Sequence, residues 1–321
     1  MPLKITFASI NCVLFLLLSG FARAEELAIK FQTDPASSAL RPFSDVVNFS
    51  LIVTGAGGKP LERGEVAIVL DAPRPARFLS TDFPMVEGTR LVEARLPINQ
   101  GRAEWKQHLP IRGVYRLSVD VTAGDAQPTR QNFELSVPEN PAKWLWLGLF
   151  CAGLFFVGVV AGRIFTGPRA ERAALVVALA LIAASGTAHE AAKQENASGP
   201  LEVEPATVGK LTSIRWRGPA GGKERALLSL SIVHLEKDKT VLEFDKLAVE
   251  KEFAFKFHFP DGAQYLVKTI AETPGRAAER AEQKVSVTGV EPPLAAQLPS
   301  LAMFVGAIAV GLGVGRFSKR R

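Results

Sequence analysis

The chain has 321 residues, a formal net charge of +6, 47% hydrophobic residues, two cysteines and four histidines. Its two long polar regions, residues 25–142 and 190–297, together carry a net charge of −3, so the remaining residues, which flank apolar runs, carry +9. Positive charge in that position is typical of membrane topology and excludes a nucleic-acid footprint, which would be a basic patch on a folded domain. The length is typical of two domains.

The first 24 residues have the form of a secretory signal peptide. Lys4 supplies a short basic start, residues 12–18 are an apolar run, and the Ala-Arg-Ala triplet at 22–24 is a small-x-small cleavage site. An uncleaved signal anchor is the alternative interpretation. Cleavage would remove Cys12 and leave Cys151 as the single cysteine, so the mature chain would form no intrachain disulfide.

Three further apolar runs predict transmembrane helices at residues 143–163, 173–189 and 298–316. The middle run is short and rich in alanine, and it also reads like a second signal peptide inside the chain. If it crosses, the loop 164–172 and the basic tail 317–321 both face the cytoplasm, as the positive-inside rule requires. The alternative is that this run lies in the interface or packs as a soluble helix. Three crossings predict a bacterial inner-membrane protein with both polar regions in the periplasm.

Both polar regions contain short runs in which apolar and polar residues alternate, with turn residues between the runs. Residues 47–53 and 115–121 alternate in this way in the first region, and residues 253–259 do so in the second. Period-two alternation predicts half-buried antiparallel strands, and about seven of them in roughly 110 residues are typical of a β-sandwich. The predicted fold class is all-β soluble domains, as two immunoglobulin-like antiparallel sandwiches at 25–140 and 196–290, plus three transmembrane α-helices.

The two polar regions share one motif at an offset of 150 residues. It is an aromatic residue, Lys, any residue, His, an apolar residue and Pro, followed by Tyr after four further residues. The matched positions are Trp105, Lys106, His108, Pro110 and Tyr115 in the first region and Phe255, Lys256, His258, Pro260 and Tyr265 in the second. The motif contains both tyrosines of the chain and half of its histidines. It therefore predicts that the two domains are duplicates or close structural relatives.

The end of this motif resembles the tyrosine corner of immunoglobulin-like sandwiches, in which a Tyr hydroxyl bonds to the main chain a few residues upstream. Pro110 and Pro260 would end their strands, because proline cannot donate to the strand ladder. Tyr115 and Tyr265 would then open the next strands. The resemblance implies a corner in each domain and supports the fold class, but it implies no function.

His108 and His258 are the candidate metal ligands of the sequence, with His189 as a weaker one and His234 as a further possible partner. Strand alternation places His108 and His258 on the outward face, each near a lysine. A lysine is a poor neighbour for a cation, and no second ligand stands at metal spacing, so the sequence favours structural roles. It contains no G-x-S-x-G, H-E-x-x-H or C-x-x-C motif. We therefore expect no enzymatic activity and no cofactor.

The order sandwich, span, span, sandwich is similar to that of the periplasmic-domain subunit of particulate methane and ammonia monooxygenases. That resemblance implies a copper site with a histidine at the mature N-terminus and a later His-x-His. Here the predicted mature chain begins at Glu25, no His-x-His is present and a third span follows the second sandwich. The copper ligands of that family are therefore not carried over.

Two further features are candidate contact surfaces. Residues 82–88 form an apolar, proline-containing loop, which is either an exposed binding loop or folds into the end of the sandwich. Gly158 with Gly162 and Gly311 with Gly315 are small-xxx-small pairs, which let membrane helices approach closely.

The sequence leaves two functional hypotheses from different classes. The first is a non-enzymatic inner-membrane protein that presents two periplasmic immunoglobulin-like domains for partner binding or complex assembly, the partner being another membrane or periplasmic protein. The second is an accessory protein for copper delivery that would use its histidines.

Overall fold

The computed structural model describes residues 27–75, 79–124, 128–164, 199–218 and 225–318. The predicted signal peptide and the predicted second span lie outside the described residues. The same holds for nearly all of the loop between the first two spans and for most of the basic tail.

The described residues form fourteen strands, two long helices and two short 3-10 turns. The first-half strands are β1 (Ala28–Asp34), β2 (Val46–Thr54), β3 (Arg63–Asp71), β4 (Arg90–Asn99), β5 (Arg102–His108), β6 (Gly113–Thr122) and β7 (Thr129–Val137). The second-half strands are β8 (Leu201–Val203), β9 (Leu211–Arg217), β10 (Ala226–His234), β11 (Lys239–Val249), β12 (Glu252–His258), β13 (Gln264–Glu272) and β14 (Glu279–Ser286). The helices are α1 (Pro141–Ile164) and α2 (Leu294–Ser318).

The strand ladders are antiparallel, and they run across both halves of the chain. One row of seven strands has the order β1-β2-β5-β11-β10-β13-β14, and the other has the order β8-β9-β12-β4-β3-β6-β7. Each row takes three strands from one half and four from the other. The prediction of two separate sandwiches is therefore not confirmed, because the edges that separate sandwiches would expose are paired with each other. We call the result the β body.

Alternation of apolar residues explains the core of the β body. In β2, Val47, Phe49, Leu51 and Val53 are each at most 1% exposed, whereas the residues between them are partly accessible. Trp105 of β5 stacks on Phe49 with ring centroids 4.8 Å apart. The buried side chains of both halves form a single apolar cluster. Burial of apolar surface, and not a disulfide, therefore stabilises the β body.

The two tyrosines of the repeated motif make different bonds. Tyr115 donates its hydroxyl hydrogen to the carbonyl of Ile111 and accepts the Ile111 N–H at 2.9 Å. Tyr265 donates instead to the carboxylate of Asp261, the residue at the position equivalent to Ile111. The resemblance to a main-chain corner therefore extends to Tyr115, while Tyr265 forms a side-chain version of it.

The motif's prolines lie just beyond their strands. Strand β5 ends at His108 and strand β12 ends at His258, so Pro110 and Pro260 each follow two residues later.

Helices α1 and α2 are both long and apolar enough to cross a membrane, judged by length and composition. They pack side by side in the same direction. Phe150 contacts Phe304 with ring centroids 5.2 Å apart, and near the far ends Arg163 donates to the Ser318 hydroxyl at 3.0 Å. Equivalent positions thus face each other along the length of the pair.

Four glycines make this close approach possible. Gly158 and Gly162 of α1 lie against Gly311 and Gly315 of α2. A Cβ on any of the four would collide with a main-chain carbonyl oxygen of the facing helix. The glycine pairs seen in the sequence therefore lie in the contact between α1 and α2, as is usual for small-xxx-small packing.

We expect Gly158→Leu or Gly311→Leu to separate the two helices. In a Cys151→Ser background, a disulfide between Phe150→Cys and Phe304→Cys should form at least about tenfold less readily, which corresponds to about 1.4 kcal/mol. Gly153→Leu and Gly313→Leu are matched controls, because no atom lies within 4 Å of a Cβ at either position. Equal cross-linking in both sets would contradict the packing.

Candidate functional site

The two halves meet along a seam, formed by β4 and β5 of the first half and by β11 and β12 of the second. Lys106 lies opposite Glu243 across one strand pair, with Nζ and Oε1 3.1 Å apart. Lys256 lies opposite Glu93 across the other, at 3.4 Å. An offset of 150 converts each residue of one pair into a residue of the other. The seam therefore has an internal twofold relation.

The seam ion pairs stabilise the β body only weakly. The side chains are about a third to a half exposed, and exposed pairs contribute roughly 0–1 kcal/mol each. The pairs favour the observed strand register. A shift of one strand along the other would place each lysine opposite a residue other than its glutamate.

His258 joins the two halves at one end of the seam. Its Nε2 accepts the main-chain N–H of Gly209 at 2.8 Å, so this nitrogen carries no hydrogen. Its Nδ1 then bears the proton and donates to the Thr89 hydroxyl at 2.9 Å. That hydroxyl in turn donates to the carbonyl of Val86 at 2.7 Å. Because the ring is buried, desolvation lowers the pKa of His258 to about 4.

His108 occupies the equivalent place in the first half but has different surroundings. It is 6% exposed, and its Nδ1 has no hydrogen-bond partner. Burial lowers the pKa of His108, the nearby charge of Lys239 lowers it further, and Asp45 opposes both. Lys239 is the counterpart of Thr89 at an offset of 150. His258 therefore has a hydrogen-bonding hydroxyl beside it, whereas His108 has a cation at the equivalent place.

His234 is fully buried and belongs to a small polar network. Its Nδ1 accepts the N–H of Lys237 at 3.3 Å, and its Nε2 lies 3.3 Å from the carboxylate of Asp261. Asp261 also accepts from Lys237 Nζ at 2.9 Å and from Tyr265. Burial pushes the pKa of Asp261 up, but the bonds from Tyr265 and Lys237 outweigh it and hold that pKa below its usual value.

A cavity of about 10 Å³ lies between the two halves, near the internal twofold. Its walls include four matched positions: Leu91 with Val241, Gln107 with Phe257, His108 with His258, and Pro110 with Pro260. A space of this size holds about one water molecule. It offers no room for an organic ligand.

The prediction that His108 and His258 face outward is wrong. Alternation alone would place them beside Lys106 and Lys256 on the open face, but both rings are buried. Thr89 of the first half contacts His258, and His108 lines the small cavity between the halves. Among the described residues, no group of three or more His, Cys, Asp or Glu side chains could hold a metal. His189, the weaker candidate, lies outside the described residues.

The proline-containing loop at 82–88 packs into the seam. Val86 is fully buried, and Phe83 contacts Phe43 with ring centroids 5.4 Å apart. The side chain of Met85 lies over Gly209, where an added Cβ would be 3.2 Å from Met85 Cε. Of the two interpretations of this loop, the structure supports the one in which it folds into the protein.

Sequence reasoning missed several residues of the seam. Phe43 lies between the halves with Lys237 Nζ 4.1 Å from its ring centroid, and Thr89 and Gly209 hold His258. Phe43 adopts a positive φ of 56°. None of these contacts has a local sequence signal. The offset of 150 would have identified Thr89 and Lys239 as equivalent positions of the two halves.

No protein-family model matches the chain, and neither does any curated protein. Many solved structures match, and three of them show how limited the similarity is. The CARDB domain of a Pyrococcus furiosus protein in complex with di-metal ions has 11% identity and a TM-score of 0.23, over 36% of this chain and 90% of that one. Dimeric latent PorU from Porphyromonas gingivalis has 10% identity and a TM-score of 0.27, over 84% and 24% of the two chains.

The third structure concerns host cell surface retention of a 1.5-MDa bacterial ice-binding adhesin. It has 12% identity and a TM-score of 0.23, over 82% of this chain and 65% of that one. Similarities at this level carry no functional inference for the present chain.

We expect the β body to lose stability in acid because of His258. Its pKa is about 4 when folded and 6.5 when unfolded, so the unfolded state takes up the proton first. The destabilisation caused by His258 is absent above pH 6.5, grows between pH 6.5 and 4, and is constant below that. The loss is roughly 3 kcal/mol at 1.36 kcal/mol per unit of pKa shift. His258→Gln should flatten this part of a plot of thermal unfolding midpoint against pH, whereas parallel curves for the two proteins would contradict the assignment.

Proposed function

We propose that this chain is a non-enzymatic protein of the bacterial inner membrane that presents its β body in the periplasm for partner binding or complex assembly. The observation that carries the proposal is the parallel packing of α1 and α2. Both helices leave the β body at their N-terminal ends, and Arg163 and Arg316 lie near their far ends. This arrangement supports a β body on one side of a bilayer and basic residues on the cytoplasmic side.

Parallel helices impose a return path on the chain. After Ile164, at the far end of α1, the chain must come back to the β body by Leu201. A helix of 24 residues is about 36 Å long at 1.5 Å per residue. The apolar run at 173–189 is the segment available for that return, which supports three crossings in all. The signal peptide proposed for residues 1–24 supports the periplasmic side for the β body.

The free strand edges support a binding role. Among the described strands, β1 and β14 end one row and β7 and β8 end the other, and each of the four has a single paired neighbour. An extended segment of a partner can add to such an edge through main-chain hydrogen bonds. Strand β14 carries Glu279, Arg280, Glu282 and Lys284, and charge of this density discourages pairing. Strand β8 has only three residues, and the 3-10 turn at Ser37–Ala39 lies beside strand β7. Strand β1 has seven residues, of which only Lys30 and Asp34 are charged, so we propose it as the docking edge.

Copper delivery is not favoured by any observation. All three histidines of the described residues are buried: His108, His234 and His258. In His234 and His258 both ring nitrogens contact protein groups. A delivery site has to release its metal, which requires accessible ligands.

Cysteine labelling tests the proposed sidedness. In a Cys151→Ser background, Lys59→Cys and Lys251→Cys lie in the two halves at exposed positions, and Ser318→Cys lies at the far end of α2. A membrane-impermeant maleimide applied to intact spheroplasts should label the first two and should reach the third only after lysis. Labelling of Lys59→Cys without Lys251→Cys would place the halves on opposite sides and contradict the proposal.

A photo-crosslinker at Gln32 of β1 tests the binding role. We expect it to yield an adduct with a membrane or periplasmic protein, and we expect the same crosslinker at Glu282 of β14 to yield none. The protein extracted gently in detergent should co-purify with that partner and retain no stoichiometric metal. Recovery of a bare monomer without adducts at either position would contradict the proposal.

A further inference from the structure

A second and much larger cavity opens at the end of the first half next to α1. Its volume is about 620 Å³, within the range of small-molecule sites. Three arginines line it: Arg74 after strand β3, and Arg112 and Arg116 at the start of strand β6. Two acidic residues, Asp71 and Glu139, also line it.

The acidic residues of this cavity are already paired. Glu139 is 12% exposed, and its carboxylate bonds to Arg112 and lies 3.8 Å from Lys143 Nζ. Asp71 lies 3.5 Å from Arg90. The charged residues that line the cavity are three arginines and two carboxylates, so one positive charge is in excess, and we assign it to Arg74. Arg74 is exposed and makes no ion pair with a described residue, whereas Arg116 is 56% exposed and forms an exposed ion pair with Glu134 at 3.6 Å. An exposed pair of this kind contributes little, so an anion can displace it.

The second half provides an internal comparison, because strand pairing defines the equivalent positions. Arg112, Arg116 and Glu139 correspond to Gly262, Leu266 and Gly289 at the offset of 150. Pairing of β3 with β6, and of β10 with β13, matches Asp71 and Arg74 with Val233 and Glu236. The counterparts of the three arginines are thus a glycine, a leucine and a glutamate.

The equivalent space in the second half is also narrower. A Cβ at Gly262 would lie only 2.6 Å from the Cα of Gly289, so the two main chains are nearly in contact. A cavity lined by arginines is therefore not a general property of this fold. In the first half the same two segments carry the ion-paired Arg112 and Glu139 in place of the two glycines.

The position of the cavity suggests the source of its ligand. Arg112 Cζ lies 5.5 Å from the ring of Trp144, the fourth residue of α1, and Lys143 bonds to Asp82 at 2.6 Å. Tryptophan and lysine at the start of a membrane helix lie at the level of the lipid head groups. Val114, which lines the cavity, is 48% exposed and offers an apolar contact on the same side.

We propose that this cavity binds a phosphate group, carried by the head group of a membrane phospholipid. Arginine guanidinium groups bind phosphate through paired, charge-assisted hydrogen bonds. Arg74 is available for such bonds, and Arg116 becomes available when it exchanges its exposed contact with Glu134 for the phosphate. Arg112 is held by Glu139 and by the carbonyl of Leu79 at 3.0 Å, and it forms the wall against Trp144. The lipid as source rests on the membrane topology proposed above, whereas binding of phosphate does not.

Calorimetric titration of the full chain in an uncharged detergent tests the proposal. The probes are monomeric dihexanoyl-phosphatidylglycerol, glycerol 3-phosphate, inorganic phosphate and the phosphate-free dihexanoylglycerol. We expect saturable binding of the short-chain phospholipid, and an increase in Kd of at least about tenfold in Arg74→Gln/Arg116→Gln. Arg95→Gln/Arg215→Gln, which removes two exposed arginines elsewhere, should bind as the wild type does.

The outcomes separate the sources of the ligand. Tight binding of the phospholipid with weak binding of free phosphate supports a lipid head group. Equal binding of glycerol 3-phosphate supports the phosphate site and assigns it to a soluble ligand, whatever cysteine labelling shows for the topology. Binding that is the same in the Arg74/Arg116 variant, or the same for the phosphate-free probe, overturns the proposal. An unchanged unfolding midpoint of that variant confirms that it is folded.

Discussion

Pairing of strand edges across the seam is the interaction on which the rest of the structure depends. Two separate sandwiches would expose β4, β5, β11 and β12 along one side, and unpaired edges invite aggregation. Here each of these strands pairs with a strand of the other half, so both rows of seven strands continue through the middle of the protein. The apolar layers behind the strands merge as a consequence. The seam thereby turns a sequence repeat into a single β body with one shared core.

The same relation extends from the strands to the helices. Each half ends in a strand, β7 or β14, followed by one apolar helix. A twofold relation between the halves therefore brings the two helices out together and in the same direction. The facing glycines differ by 153 positions, Gly158 with Gly311 and Gly162 with Gly315, whereas the seam residues differ by 150. Counted from the matched positions 137 and 287, the segment before α2 is three residues longer than the segment before α1, and this accounts for the difference. The longer segment contains Pro292 and Pro293.

The features that local sequence could predict are those that depend on neighbours in the chain. Period-two alternation identified the buried residues of β2, and the Tyr115 corner needs only a residue four positions upstream. The burial of His108 and His258 could not be predicted in this way, because it depends on residues distant in the chain, such as Thr89 at His258 and Val241 at the cavity that His108 lines. The repeat revealed that the halves are alike, but the same motif is compatible with separate and with merged sandwiches. Only pairing between residues such as Lys106 and Glu243 distinguishes the two.

Differences between the halves then carry more functional information than their similarities. Positions that match across the seam, such as Lys106 and Lys256, have a sufficient explanation in the twofold relation, since each maintains the contact between halves. Positions that differ have no such explanation. Thr89 bonds to His258, whereas Lys239 at the equivalent position cannot accept a hydrogen bond and His108 Nδ1 has no partner. Arg112 and Gly262 open a cavity in one half and close it in the other. A duplicated framework that must preserve its seam has freedom to specialise at its outer ends, and the end nearest α1 is where the largest difference lies.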